Sequence, residues 1–141
     1  MTNVLVPVDG SQSATRAVRW VAQVLARQSG ARVQLVHVQA AIDAWEVRSH
    51  LGADDIARWQ ASGSKAVLDP AAAILREAGL DVETHAAVGD IASEVAALVT
   101  RLACDGVVMG TRGLGPVQSL LLGSTTMKVI HLVEVPITLI K

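Results

Sequence analysis

The chain has 141 residues, 51% of them hydrophobic, with 12 basic and 13 acidic side chains and a formal net charge of −1. That is enough apolar material for a real core, and the scattered arginines and lysines supply no concentrated positive surface for nucleic acid or an anionic membrane. No apolar run reaches the length of a membrane span, MTNVLVPVDG lacks the features of a secretory leader, and the lone Cys104 can form neither an internal disulfide nor a cysteine metal cluster, so a single cytoplasmic domain over residues 1–141 is expected.

Asn3 to Asp9, NVLVPVD, is a nearly continuous β-branched run ending in Asp-Gly-Ser, the pattern of a strand buried on both faces. Ser11 or Ser13 can cap the helix that follows, which extends to about Ser29 with Ala14, Ala17, Val18, Val21 and Leu25 on one face and Gly30 as its stop. Arg32 to Val38 reads as a second strand. Asp54 to Ala78 reads as a second helix closed by Gly79, although Gly63 and Pro70 interrupt its pattern. Gln39 to Gly52, with Trp45 and His50, has no assignable form. Asp81 to Val88 alternates as a third strand. Gly89-Asp90 opens a third helix with Ile91, Val95, Leu98, Val99 and Leu102 at helical spacing, and Gly106 to Met109 gives a fourth strand. After a glycine-rich stretch, Ser124 to Leu132 forms a last helix and Val135 to Ile140 a fifth strand.

Strands alternating with helices through short turns indicate an α/β fold, a doubly wound, Rossmann-like parallel sheet with helices on both faces. Ligands in such sheets bind beyond the carboxyl ends of the strands, where strand order reverses. Two carboxyl ends are chemically unusual here, VDGS after the first strand and GTRG after the fourth.

The stretch GTRGLGPVQSLLLGST, Gly110 to Thr125, holds four of the eleven glycines. Glycine-turn amides and a helix start at Gly123-Ser124-Thr125 together suit an anion, and a phosphate chain between Gly110, Gly113 and the Gly123 turn would also meet the hydroxyls of Ser124 and Thr125. No lysine follows a glycine, which excludes the P-loop, and Gln118 stands where a dinucleotide fingerprint needs its third glycine. Asp9 is alone at its strand end, so the acidic pair of a phosphorelay receiver is missing. Plainer readings stand beside the ligand reading: glycines as turn residues, Asp9 as a cap of the first helix, Arg112 as a solvated charge. His37 reads as a packed, hydrogen-bonded side chain, Cys104 as a buried structural thiol, and His50, His85 and His131 are too widely spaced for a metal pattern. Trp20 is expected in the core. Trp45 and Trp59 are candidates to cover a ligand or partner, with the core the default place for Trp59.

These residues taken in order resemble the universal stress protein family, and within it the nucleotide-binding subgroup. Gly110, Gly113 and Gly123-Ser124 match the family pattern G-x2-G-x9-G-S/T, preceded by DGVVMGTRG. LVPVDGS, LVHV, VGD with Ala92, and VPITLI resemble its other anchors along nearly the whole chain. The resemblance implies the sheet order 3-2-1-4-5 and ATP, with Mg2+ bridging phosphate oxygens and waters, as the ligand. It implies that Asp9 and the backbone of Pro7 and Val8 lie by the adenosine and that Val38 touches the adenine. Gly110, Gly113, Gly123, Ser124 and Thr125 would then hold ribose and phosphates, with Arg112 adding charge at the edge. It also implies a homodimer through Val135 to Ile140 and a regulatory role in stress response toward a protein partner the sequence does not name. Ile91, where the family commonly has proline, and Glu134, where cysteine or alanine is usual, depart from the pattern away from the phosphate turn. A slow ATPase and a nucleotide-independent adaptor are the competing functions. The first lacks a lysine, paired carboxylates or a nucleophile-base pair near the site.

Overall fold

A computed structural model describes residues 1–42, 50, 52–113 and 122–141; Trp45 and the middle of the glycine stretch lie outside the described residues. The elements are β1 (Asn3–Pro7), α1 (Gln12–Leu25), β2 (Arg32–Gln39), α2 (Ala53–Glu77), β3 (Asp81–Val88), α3 (Ile91–Arg101), β4 (Gly106–Gly110), α4 (Ser124–Leu132) and β5 (Ile137–Ile140). They form a five-stranded sheet in the order β3-β2-β1-β4-β5, and every pairing is parallel, as expected. The chain moves outward from β1 to β2 and β3, then returns to lay β4 on the other side of β1. Strand order therefore reverses between β1 and β4.

Alternate residues of each strand enter opposite layers. Val4, Val6, Val33, Leu35, Val82 and Val108 pack with α1 and α2 on one face of the sheet. Leu5, Val36, Val38, Val107 and Met109 pack with α3 and α4 on the other. Both faces are covered, which is why β1 and β4 read as unbroken apolar runs. Cys104 sits in the second layer, and desolvation, helped by the Asp105 charge, pushes its thiol up to about 11, the behaviour of an inert structural cysteine.

Element ends follow local chemistry. Ser11 caps α1 by accepting from the Ala14 amide at 3.1 Å, and the apolar face read from the sequence is the buried one. The helix stops at Leu25 rather than Ser29, because Leu25 is the last residue of that face and Arg27, Gln28 and Ser29 have no core to hold them; Gln28 N–H bonds the Leu25 carbonyl at 2.8 Å and closes a turn. Pro70 does not break α2. It removes the bond to the Ala66 carbonyl, but both residues are exposed and water replaces the lost donor. Gly79, at φ +80°, ends α2 with Leu80 N–H bonded to the Leu75 carbonyl at 3.1 Å. β5 begins at Ile137 rather than Val135, since Pro136 has no N–H to give; its carbonyl nevertheless accepts from Val107 at 2.9 Å and sets the register.

Two contacts fix how β4 sits. A Cβ placed on Gly110 would lie 2.3 Å from Ser13 Oγ and 2.7 Å from the Ser13 carbonyl carbon, so the first turn of α1 rests directly on the β4 backbone. At the other end of the strand, the Asp105 carboxylate accepts from Thr2 N–H at 2.6 Å, Thr2 Oγ1 at 2.9 Å and Asn3 N–H at 3.0 Å, tying the start of β1 to the turn before β4.

Gly110→Ala is expected to cost on the order of 2 kcal/mol, the scale of overpacking against backbone, measured by urea unfolding. For Asp105, burial works against ionisation, but the hydrogen bonds from Thr2 and Asn3 outweigh it and hold the carboxyl below the usual aspartate range. A depressed pKa means stability that is present above pH about 4 and lost as pH falls through the lower folded value. Asp105→Asn should lower stability at pH 7, by about 1 kcal/mol for an exposed charge-assisted cluster, and in thermal scans its gap from the parent should narrow as pH falls below the ordinary carboxylate range.

Candidate functional site

The reversal between β1 and β4 opens into a cavity of about 860 Å3 at the carboxyl ends of the strands, within the usual size of small-molecule sites. All ten residues singled out from the sequence border it: Pro7, Val8, Asp9, Val38, Gly110, Arg112, Gly113, Gly123, Ser124 and Thr125. The sequence reading missed Val36, Ile91, Val95, Met109 and Val129, which form apolar walls, and His37, Gln39 and Thr126; Trp59, which it offered as a possible ligand cover with the core as default, also lines the opening. Strand and helix periodicity had marked several of these as core; they serve as core whose outer ends face the opening.

The β1 side is built by a tight turn. Asp9 Oδ1 accepts from Ser11 N–H at 2.9 Å, with Gly10 between them at φ +83°. Asp9 thus shapes the turn before α1, while the cap itself is Ser11. Its other oxygen, Oδ2, lies 2.9 Å from where a Cβ on Gly113 would be, so Gly113 makes room for the carboxylate. Ser11 Oγ also reaches the Arg112 carbonyl at 3.4 Å and joins the two loops. Val8 N–H bonds Val36 O at 2.8 Å, and Val8 O lies 2.8 Å from His37 Nδ1, so His37 is the packed, hydrogen-bonded side chain expected. Arg112 is exposed at the rim.

The β4 side ends in the N-terminus of α4. Gly123 is its N-cap, with no side-chain capping bond, and its own N–H bonds Thr111 O at 2.8 Å. The amides of the following turn therefore point outward without intrahelical partners. Thr126, buried at 3%, bonds through Oγ1 to the Gly110 carbonyl at 3.3 Å and fastens that helix end to β4. Gly123 has φ −69°, and a Cβ there would meet, among the described residues, nothing nearer than Thr111 O at 3.5 Å. The packing of the described residues does not require glycine at 123, in contrast to Gly110. A close approach by something in the cavity would need it.

The cavity is thus chemically polarised. The first turn of α4 offers a partial positive end, Asp9 is the one carboxylate among its described lining residues, and the β2 end is apolar. Such a set fits a ligand with an anionic group, hydroxyls within reach of a carboxylate, and a flat apolar body. Asp9 alone, among these residues, could serve a divalent cation, and the described residues contain no cluster of three or more metal-ligating side chains, so any Mg2+ would depend on ligand phosphates and water. No lysine lines the described wall. Gln39 Oε1 is buried without a partner among the described residues, while its Nε2 bonds Gln60 O at 3.1 Å. Trp59 is 66% exposed beside the opening and not in the core, where the sequence reading placed it, because α2 is unburied at that level.

Comparison with known proteins agrees with this architecture. A universal stress protein of Thermus aquaticus, from the QAH/OAS sulfhydrylase 3' region, is 30% identical, with 98% of this chain and 97% of the relative covered. A hypothetical protein whose biochemical function was assigned from its structure superposes with a TM-score of 0.86 at 23% identity, over 99% of this chain and 95% of the other, which speaks for the fold. A universal stress protein solved in complex with cAMP gives a TM-score of 0.73 at 25% identity, over 99% and 97%. The family model for universal stress proteins matches residues 1–141, and the chain belongs to the universal stress protein family.

Proposed function

We propose that residues 1–141 form one adenine-nucleotide-binding domain that takes ATP together with Mg2+ and serves as a nucleotide-dependent module in the cytoplasm, in a stress-response or regulatory role. The observation that carries this reading is the polarity of the cavity, an open helix N-terminus at one end, a carboxylate in the middle and apolar strand ends at the other. The cAMP complex of a family member supports an adenine nucleotide as the ligand class. In this arrangement the α4 amides and the hydroxyls of Ser124 and Thr125 hold phosphate, Gly113 and Gly123 let it approach, and Arg112 adds charge at the rim. Asp9 accepts from the ribose hydroxyls, and Pro7, Val8 and Val38 border the adenosine. Gly110 contributes by bringing α1 and β4 together. Bound Mg2+ would supply charge neutralisation between phosphate groups. None of the described helices is long and apolar enough to cross a membrane, in keeping with this placement.

Homodimerisation through Val135 to Ile140 belongs to the same proposal. β5 lies at the sheet edge beside β4, and Ile137 to Ile140 are only half-buried, an apolar edge that a twofold copy would cover. Light scattering should give twice the chain mass at micromolar concentration; a monomer there would remove this part of the proposal.

The nucleotide reading is tested by chromatography of small molecules released on heat denaturation, followed by Mg-ATP titration of the emptied protein. Saturable binding is expected. Gly123→Val should cost no more than about 1 kcal/mol in folding, a cap-position penalty, and weaken ATP by at least about tenfold. A folded Gly123→Val that binds ATP as well as the parent would place the phosphates elsewhere.

A further inference from the structure

The chain has three tryptophans and no tyrosine or phenylalanine. Its buried core is aliphatic. Against that background Trp59, 66% exposed on the cavity wall, is a large aromatic surface left in water beside an apolar opening.

Its position follows from a mismatch of lengths. α2 has 25 residues, about 37 Å of helix at 1.5 Å per residue, whereas an eight-residue strand such as β2 spans about 26 Å. The buried residues of α2 begin at Ser64, and none from Ala53 to Gly63 is buried. The first half of the helix therefore overhangs the sheet on the side of the carboxyl ends, where the cavity is. The overhang is also pinned. Gln39, the last residue of β2, reaches across to the Gln60 carbonyl, and Gly63 leaves it room: a Cβ at Gly63 would lie 2.6 Å from Gln39 Nε2. The glycine that weakened the helical pattern of the sequence is thus the notch that seats Gln39. Trp59, next to the held Gln60, lines the cavity together with Gln39 to Ile42 on the β2 side of β1, whereas α4 follows β4 on the other side.

We propose that Trp59 stacks on the base of the bound nucleotide and selects it by ring area, so that purines are preferred through stacking on the indole. This rests on the nucleotide reading above. The α4 amides and the indole border one cavity from opposite sides of β1, as the two ends of a nucleotide require. An exposed indole needs no rearrangement of the fold to receive a base, and beside it in the lining the side chains of Ala40, Ala41 and Ile42 are apolar, with Gln39 Oε1 as the polar acceptor at that side.

The test is calorimetric titration of ATP, CTP and inorganic tripolyphosphate into the parent, Trp59→Ala and Trp59→Phe, with tryptophan emission recorded on ATP addition. Trp59→Ala is expected to weaken ATP about tenfold, the scale of base-aromatic stacking, to narrow the preference for ATP over CTP, and to leave tripolyphosphate unchanged. Trp59→Phe should keep ATP within about threefold, since an aromatic face remains, and should lose the ATP-induced emission change. ATP affinity and ATP-over-CTP preference equal to the parent in Trp59→Ala would overturn the stacking role while leaving the nucleotide reading intact. Equal losses for ATP and tripolyphosphate would also overturn it, assigning Trp59 to the wall alone. A parent that binds neither ATP nor CTP would overturn both.

Discussion

At the centre of the molecule the backbone of β4 meets the first turn of α1 with no side chain between them, at Gly110 and Ser13. That contact decides how closely α1 approaches β4 where strand order reverses. It brings the loop after β1 beside the loop after β4, so that Ser11 can touch the Arg112 carbonyl and Asp9 can lie against Gly113. Ser13 Oγ also bonds the Ile140 carbonyl at 3.1 Å, which extends the same junction to the edge strand. A wider spacing would separate Asp9 from the α4 terminus and divide the cavity. The site is therefore a consequence of backbone packing before it is a collection of functional groups.

The glycine cluster, a single phenomenon in the sequence, divides in the structure into different physical demands. Gly110 answers a helix pressed onto a strand, Gly113 a neighbouring carboxylate, and Gly123 neither. Gly123 is thus the position that the packing of the described residues leaves unexplained. Gly63 belongs to a fourth kind, a notch for a side chain from another element.

The strands and the buried face of α1 were legible because their patterns follow from burial on two faces or one stripe, whereas the sheet order was implied by the family resemblance. The ten site residues were legible as a neighbourhood because loops at strand ends carry unusual residues, and the resemblance to a family ordered them. Less visible were features that depend on distances between elements. Pro70 reads as a break along the chain, but whether its missing hydrogen bond matters is settled by exposure. Trp59 reads as core by composition, but its place is set by how far α2 outruns the sheet. Thr126 gave no signal as the residue after two hydroxyl neighbours, and its role appears only once Gly110 O is opposite it. Gln39 reads as the polar end of a strand, and only the packing of α2 shows what it touches.

The hydrogen bond from Gly123 N–H to Thr111 O brings the chain back to the point at which it left β4. Among the described residues, α4 takes its position from Thr111, Gly110 and Thr126. A single backbone hydrogen bond thus acts as a clasp between the end of β4 and the helix terminus, and the Thr126 hydroxyl on the Gly110 carbonyl is the second catch of that clasp.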